Sequence, residues 1–374
     1  MLWWTLQGLA AAGHELQLIA PLDAREPAPT DDDAAALAQV CTAVLWPVRT
    51  RSWPRSIASA FRHGGSVTTT RHFHPSLAQV VADRIASWRP DVVHAEQLQA
   101  MRHCAAATAA AVPRVLRMQN VESSLWRQVA QARLLAAPLA FEAGRVRRDE
   151  CEAVRQADRV LSLSADDTAT FAASVDASQQ SKLVTLAPAF PSVLPAAPAL
   201  KGDPAIVLAG SGGWWPNAQA LDWFLDHVCP LLWSALPGAR VHVFGGQPTP
   251  VRGVVWHPSP ADATAAFPEG AIAAVPLQIG SGIRMRILDA WARGLPVVAS
   301  PVAAAGLAVA SGRELLIAQR AEDFVAAIVR LHAEPALRAN LRASGRAYLR
   351  TRHDIAVQSE RLIDLYAQAG ARLR

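Results

Sequence analysis

The chain has 374 residues, 51% of them hydrophobic, which allows two domains with sizeable cores and excludes global disorder. A net charge of +5 and a pI near 9.5 suit anionic partners, such as nucleotide diphosphates, lipid phosphates or an acidic membrane surface. Four scattered cysteines without metal-ligand spacing, no apolar run of about 18–20 residues, and no stripe of alternating aromatic and basic residues argue against a zinc site, a membrane span and nucleic-acid binding.

The opening MLWWTLQGLAAAGHELQLIAP reads as an amphipathic helix, a glycine cap at Gly13 and a strand over Glu15–Ala20. A parallel α/β domain normally begins with a strand and a Gly-rich loop before its first helix. The expectation is therefore that the chain starts inside its domain, with roughly two dozen residues lying upstream. The alternative is a divergent domain that lacks the strand.

Further strands are expected at Ala43–Val48, Asp91–Ala95, Arg114–Met118, Arg159–Leu163 and Leu183–Leu186. Helices are expected at Pro75–Trp88, Leu98–Ala111, Glu122–Gln156 with a break near Pro138, and Ala165–Ala173. The region around Gly64 and Gly65 carries no clear pattern. Residues 188–204 are proline-rich and read as a stiff linker between a first domain, 1–187, and a second, 205–350.

The second half restarts the alternation. Its strands are Ala205–Ala209, Arg240–Gly245, Gly253–His257, Ala271–Val275, Leu295–Ala299 and Glu314–Ile317. Its helices are Asn217–Ala235, Ile283–Arg293, Ala321–Ala333 and Pro335–Arg350, and after a break at Thr351–His353 a last helix, Asp354–Ala369, fills the C-terminal segment 351–374. Strands alternating with helices throughout predict an α/β fold of parallel, doubly wound sheets.

The densest signal is VPLQIGSGIRMRILDAWARGLPVVAS, residues 275–300. A strand runs through Gly280, Ser281 and Gly282 into a helix starting at Ile283. Free backbone N–H groups and the positive helix end then meet at one point, an anion site. Arg284 and Arg286 in the first turn oppose the helix dipole unless an anion sits there. Asp289, a turn later, is suited to paired hydroxyls. Solvated arginines and a surface carboxylate are the plainer alternative. A second strand-to-helix turn, Gly210-Ser211-Gly212-Gly213-Trp214-Trp215-Pro216-Asn217, offers another helix N-terminus, with Asn217 as its N-cap. Trp223 reads either as part of that site or as sheet-edge packing. His94 and Glu96 end a buried strand, where α/β sheets bind ligands; a hydrogen-bonded scaffold role is equally open for His94. Arg145 to Arg148 reads as a solvated helix face or as a membrane or acceptor contact.

The 275–300 segment resembles the donor-site motif of retaining glycosyltransferases of family 4, of the GT-B fold. The pattern is P-L-x-x-G-S-G-x-R-x-K-x-L-E-A-x-A-x-G-x-P-V-V. The chain matches it at Pro276, Leu277, Gly280, Ser281, Gly282, Arg284, Leu288, Ala290, Ala292, Gly294, Pro296, Val297 and Val298. It departs at Arg286 and Asp289, where the family has Lys and Glu; many relatives also carry an earlier Glu, eight residues before the second, at the position that is Ser281 here. The 210–230 segment resembles G-S-x-x-W-x-P-N…W-F…P of the branch that assembles exopolysaccharide and capsule. Residues 117–127 resemble its H-N-V-E-x-x-x-W/L-x-R segment, with Gln119 replacing a cleft-facing His; Gln can hydrogen-bond a sugar hydroxyl but cannot titrate. Glu122 then reads as a substrate contact or as a first-turn carboxylate meeting the helix dipole.

The resemblance implies two Rossmann-like domains facing a cleft, with a last helix crossing back to the first domain. The second domain would bind a nucleotide-diphospho-sugar and the first would present a glycan or lipid-linked acceptor. Reacting groups would be Arg284, Arg286, Asp289 and Gln119. The donor would be held by Gly210, Ser211, Gly212, Asn217, His257, Gly280, Ser281, Gly282 and Ile283. His94, Glu96, Asn120 and Glu122 would lie on the acceptor side. The implied reaction is a metal-independent, cofactor-free retaining transfer in cell-surface polysaccharide synthesis, in the cytoplasm with peripheral contact to the inner membrane face. Two further readings remain: a nucleotide-sugar epimerase or hydrolase of the same fold, or a catalytically weak nucleotide-binding protein.

Overall fold

The computed structural model describes the whole chain except residues 26–27, 133–135, 211–214, 247, 261 and 371–374. Two compact units form, Met1–Ala189 together with Ile355–Arg374, and Phe190–Asp354. Among the described residues, no helix is long and apolar enough to cross a membrane.

In the first unit, β1 (Gln17–Asp23) pairs in parallel with β2 (Thr42–Val48), Gln17 opposite Thr42. A second parallel sheet holds β3 (Val93–Glu96), β4 (Arg114–Met118), β5 (Arg159–Ser162) and β6 (Leu183–Thr185) in sequence order. Successive side chains alternate between the faces of a strand. Leu116 and Val160 therefore enter a core with Ala95, Met101 and Phe171. Val115 and Leu161 enter another with Leu9, Leu362 and Leu365. Helices Leu2–Ala11 and Ile355–Gln368 cover that second face. With both faces covered, the strands carry apolar residues on both faces, which is why they are visible in sequence.

Elsewhere the helices differ from expectation. Leu98–Ala111 is three short pieces, Leu98–Met101, a 3-10 turn Arg102–Cys104, and Ala106–Ala109. The tight turn places His103 where its Nε2 accepts from His74 N at 3.1 Å. The stretch around Gly64 and Gly65, without clear pattern in sequence, holds helices Trp53–His63 and Val67–His72, preceded by Asp31–Ala38. The long helix is split into Glu122–Gln131 and Ala136–Gln156, and Pro138 sits in the first turn of the latter, where no N–H is needed. Arg145, placed by sequence on a solvated face, is buried and donates from Nη2 to Ala60 O.

The second unit is one parallel six-stranded sheet of β7 (Ala205–Ala209), β8 (Arg240–Phe244), β9 (Val254–His257), β10 (Ile272–Val275), β11 (Val297–Ala299) and β12 (Leu316–Ile317). The strand order is β12-β11-β10-β7-β8-β9. The chain moves outward from β7 to β9, then returns to the other side of β7 and runs out to β12. The direction of winding thus reverses between β7 and β10, so connections leave their carboxyl ends to opposite faces. Helices Trp215–Trp223 and Cys229–Ala235 are joined by a wide π turn over Phe224–Val228, just ahead of Pro230. Trp223 stands edge-on to Phe324, ring centroids 5.7 Å apart, and packs against the core.

Candidate functional site

Two chain segments leave the sheet side by side at the reversal. From β7 the chain passes Gly210, whose φ of +77° favours glycine, and enters helix Trp215–Trp223. Asn217 therefore lies inside the first turn rather than at the N-cap expected for it. Ser211 and Gly212 lie outside the described residues. From β10 the chain passes Pro276 and Leu277, whose carbonyl accepts from the buried Ser300 Oγ, and reaches helix Met285–Ala292. Gly282 is buried with φ +75°. Arg284 is the N-cap residue, one position ahead of the turn predicted to contain it. Ile283 is buried, so its side chain serves the core while its backbone shapes the turn.

Arg286 joins the two segments, donating from Nη2 to Asn217 Oδ1 at 3.0 Å. Its guanidinium lies over Gly210, where a Cβ would come within 3.1 Å of Nη2. Arg284 sits likewise over Gly280. A cavity opens between the segments, lined by Leu208, Ala209, Asn217, Pro276, Leu277 and Arg286. Burial pushes the Arg286 guanidinium down to about 10, and among the described residues no carboxylate pairs with it. A largely buried cation without a carboxylate partner among the described residues, beside a helix N-terminus, is suited to an anion.

Asp289 is engaged: Oδ1 pairs with Arg293 Nη1 at 2.5 Å. Arg293 is buried, donates also to Thr264 Oγ1 at 3.2 Å and lies over the Phe267 ring. Burial raises the Asp289 carboxyl against the lowering by Arg293. The sequence reading missed Arg293, although its spacing of four from Asp289 on one helix was the available signal. Gly280 and Ser281 form the turn itself. His257 ends β9, two strands from β7 and so about 10 Å across the sheet. It stacks on Phe244, centroids 4.3 Å and 9° apart, with Nε2 3.0 Å from His242 Nδ1. It does not join the Arg286 group.

In the first unit, the carboxyl ends of β3 and β4 gather a polar network. Arg117 donates from Nε to Glu96 Oε2 at 2.9 Å and from Nη2 at 2.5 Å, and its Nη1 reaches Thr5 Oγ1 at 3.1 Å. Gln119 Nε2 donates to Glu96 Oε1 at 2.8 Å. His94 Nδ1 lies 2.7 Å from the Tyr366 hydroxyl and its Nε2 lies 3.6 Å from Glu96. Burial opposes ionisation of Glu96, yet His94 and Arg117 hold it down at about 2; burial lowers His94. Neither Arg117 nor Tyr366 was singled out in sequence; an arginine inside the apolar run Val115–Met118 was the signal. Asn120 is half-buried in the bend that follows. Glu122 opens helix Glu122–Gln131 and burial raises it. Its neighbour Glu150, also unforeseen, accepts from Ser123 N at 3.1 Å and is pushed by burial up to about 7.

A doubly wound α/β unit with an anion-suited cavity at its reversal point defines a class of nucleotide-binding folds. Residues 203–334 match the family of glycosyl transferases group 1. The fold of the whole chain is GT-B. It resembles the sucrose-phosphate synthase of Thermosynechococcus elongatus (16% identity, 99% of this chain and 92% of that one, TM-score 0.68). It also resembles Anabaena HepE in complex with UDP and glucose (13%, 95% and 100%, TM-score 0.64) and a glycosyltransferase from Rickettsia africae (8%, 99% and 94%, TM-score 0.62). Among curated protein sequences no match is found.

Proposed function

We propose that the protein is a retaining glycosyltransferase that moves a sugar from a nucleotide-diphospho-sugar to a glycan or lipid-linked acceptor in cell-surface polysaccharide synthesis. The observation that carries this reading is Arg286, a cation without a carboxylate partner among the described residues, which bridges the ends of the two segments beside the cavity. The family match over 203–334 supports sugar transfer as the chemistry. HepE in complex with UDP-glucose makes UDP-sugars the first donors to examine.

In this mechanism the helix N-terminal amides, Arg284 and Arg286 stabilise charge developing on the leaving diphosphate. The bond from the anomeric carbon to the phosphate oxygen breaks while the acceptor oxygen bonds the same face. The acceptor proton passes to the departing phosphate oxygen. With positive charge supplied by arginines, the reading needs no metal. Asp289, through the oxygen not engaged by Arg293, is assigned to the ribose hydroxyls. Gln119, His94, Glu96, Asn120 and Glu122 are assigned to the acceptor side. Four free cysteines support a reducing, cytoplasmic setting.

The test is saturation-transfer NMR with UDP-, GDP- and ADP-sugars, on wild type and Arg286→Ala, followed by analysis of the anomeric configuration of the product. Binding of one donor by wild type alone and a product that keeps the donor's configuration are expected. No nucleotide binding by wild type removes the assignment, and sugar conversion or release without acceptor replaces it with an epimerase or hydrolase.

A further inference from the structure

Helix Trp53–His63 is turned inside out. Its small residues Ser56 and Ala60 are fully buried, while its large apolar residues Trp53, Ile57 and Phe61 are 50%, 43% and 66% exposed. These three stand at positions i, i+4 and i+8, one face of the helix. A helix held only by its core would show the opposite arrangement.

The exposed stripe continues onto a neighbouring element. Phe141, 56% exposed in the first turns of helix Ala136–Gln156, stacks with Phe61, centroids 6.2 Å and 14° apart. Arg145 holds the pair from beneath, its Cζ 5.0 Å from one ring centroid and 5.6 Å from the other, while its Nη2 donates to Ala60 O. Arg71 lies over the Trp53 ring at 4.4 Å. Both ends of the stripe are thus set in place by arginines, with their apolar faces outward.

The charge around it has one sign. Between Asp33 and Asp83 the sequence holds five arginines, three histidines and no acidic residue. Arg55 and Arg62 are exposed on the stripe's own helix, Arg49 is exposed just ahead of it, and Arg147 and Arg148 are exposed on the Phe141 helix. The acids of that helix nearest the patch turn inward. Glu142 accepts from Thr68 N at 3.0 Å, and Asp149 accepts from Ser66 N at 2.9 Å. Asp23 accepts from Thr50 N at 3.0 Å and pairs with Arg25.

We infer that the face formed by Trp53, Ile57, Phe61 and Phe141 docks on an anionic phospholipid bilayer. The rings and Ile57 enter the boundary between headgroups and acyl chains, and the surrounding arginines meet lipid phosphates. A protein partner of matched shape would suit the apolar stripe alone; exposed arginines on both helices that carry the stripe single out a surface of diffuse negative charge. The inference stands on this face and not on the sugar-transfer reading.

The test is co-sedimentation of the full chain with vesicles of phosphatidylcholine alone and of phosphatidylcholine mixed with phosphatidylglycerol. Wild type is expected to bind the mixed vesicles, to leave the neutral ones in solution, and to be released as salt is raised. The double variant Phe61→Ser/Phe141→Ser and, separately, Arg55→Glu/Arg62→Glu are each expected to lower the partition coefficient at least about tenfold. Both should keep the wild-type circular dichroism spectrum and nucleotide-sugar affinity. Absence of wild-type binding to mixed vesicles, or unaltered binding by folded variants, overturns the inference. So does a wild-type dimer that Phe61→Ser/Phe141→Ser turns into a monomer without any vesicle binding, which assigns the face to a second copy. Vesicle binding by a protein that binds no nucleotide-sugar leaves this inference intact and removes only the transferase.

Discussion

Arg286 hydrogen-bonds Asn217 across the reversal of the sheet, tying the helix that follows β7 to the helix that follows β10. The two residues are 69 positions apart in sequence, and each lies in the first turn of its helix. Arg286→Ala is expected to weaken nucleotide-sugar binding by about 10- to 100-fold, the range for charge-assisted hydrogen bonds to an anion. Asn217→Ala should weaken it only several-fold, because the cation remains. Isothermal titration with the donor found by NMR checks both; equal affinity in Arg286→Ala rejects the assignment.

Gly210 has both a left-handed φ and the Arg286 guanidinium against it. Gly210→Ala should cost about 1–2 kcal/mol of stability and displace Arg286, lowering donor affinity as well. Gly270 has the same φ of +77° with open space around it. Gly270→Ala therefore serves as control, with the stability loss and unchanged affinity. Thermal melts beside titrations separate the two effects.

Glu96 is the counter-ion of the buried Arg117. Glu96→Gln should cost about 3–5 kcal/mol, since it strands a cation in the core. Because the Glu96 carboxyl is held at about 2 in the fold, its contribution is present above the ordinary carboxylate range and is lost as pH falls toward 2. Denaturant unfolding of both proteins at neutral pH and in acid should show their stabilities converging as pH drops.

Glu150 has the opposite sign. Its carboxyl is raised to about 7 in the fold, so the folded state holds a proton that the unfolded chain releases near 4.5. Stability from this group is complete below about 4.5 and is lost as pH rises through about 7, a change of about 3 kcal/mol. Glu150→Gln should abolish that dependence. The wild-type minus variant difference in unfolding free energy, measured at about pH 5 and pH 8, is expected to change by that amount; a constant difference rejects a protonated Glu150.

Tyr366→Phe removes the hydroxyl that meets His94 Nδ1 and should cost about 1–2 kcal/mol. Hydrogen exchange should quicken across Ile355–Gln368 and leave β10 and β11 unaffected.

The sequence revealed what was buried and repetitive. Arg114–Met118, Ala205–Ala209, Pro75–Trp88 and Ala321–Ala333 coincide with their elements, because a parallel strand or a core-facing helix announces itself by an apolar run or a 3.6 period. Trp53–His63 escaped although Trp53, Ile57 and Phe61 repeat every four residues, Pro54 opens the helix and Gly64 closes it, all signals available in the sequence. Asp31–Ala38 escaped although Thr30 and Asp33 form a capping box that could have marked it. At the site, the turn glycines and arginines were legible from their order alone. The partners were not: Asn217 for Arg286, Tyr366 for His94 and Arg117 for Glu96 are set by sheet order and long-range packing. Short-range spacing carries no record of such pairs.

Helix Ile355–Gln368 places Leu362, Leu365 and Tyr366 against Leu9, Val115 and Leu161. During synthesis the chain therefore emits one hydrophobic face of its first sheet long before the side chains that cover it. The intervening unit, continuous from Phe190 to Asp354, can complete itself on the ribosome while that face waits. The newborn protein thus carries an open, sticky surface through about half of its translation, the interval in which a holding chaperone has most to shield.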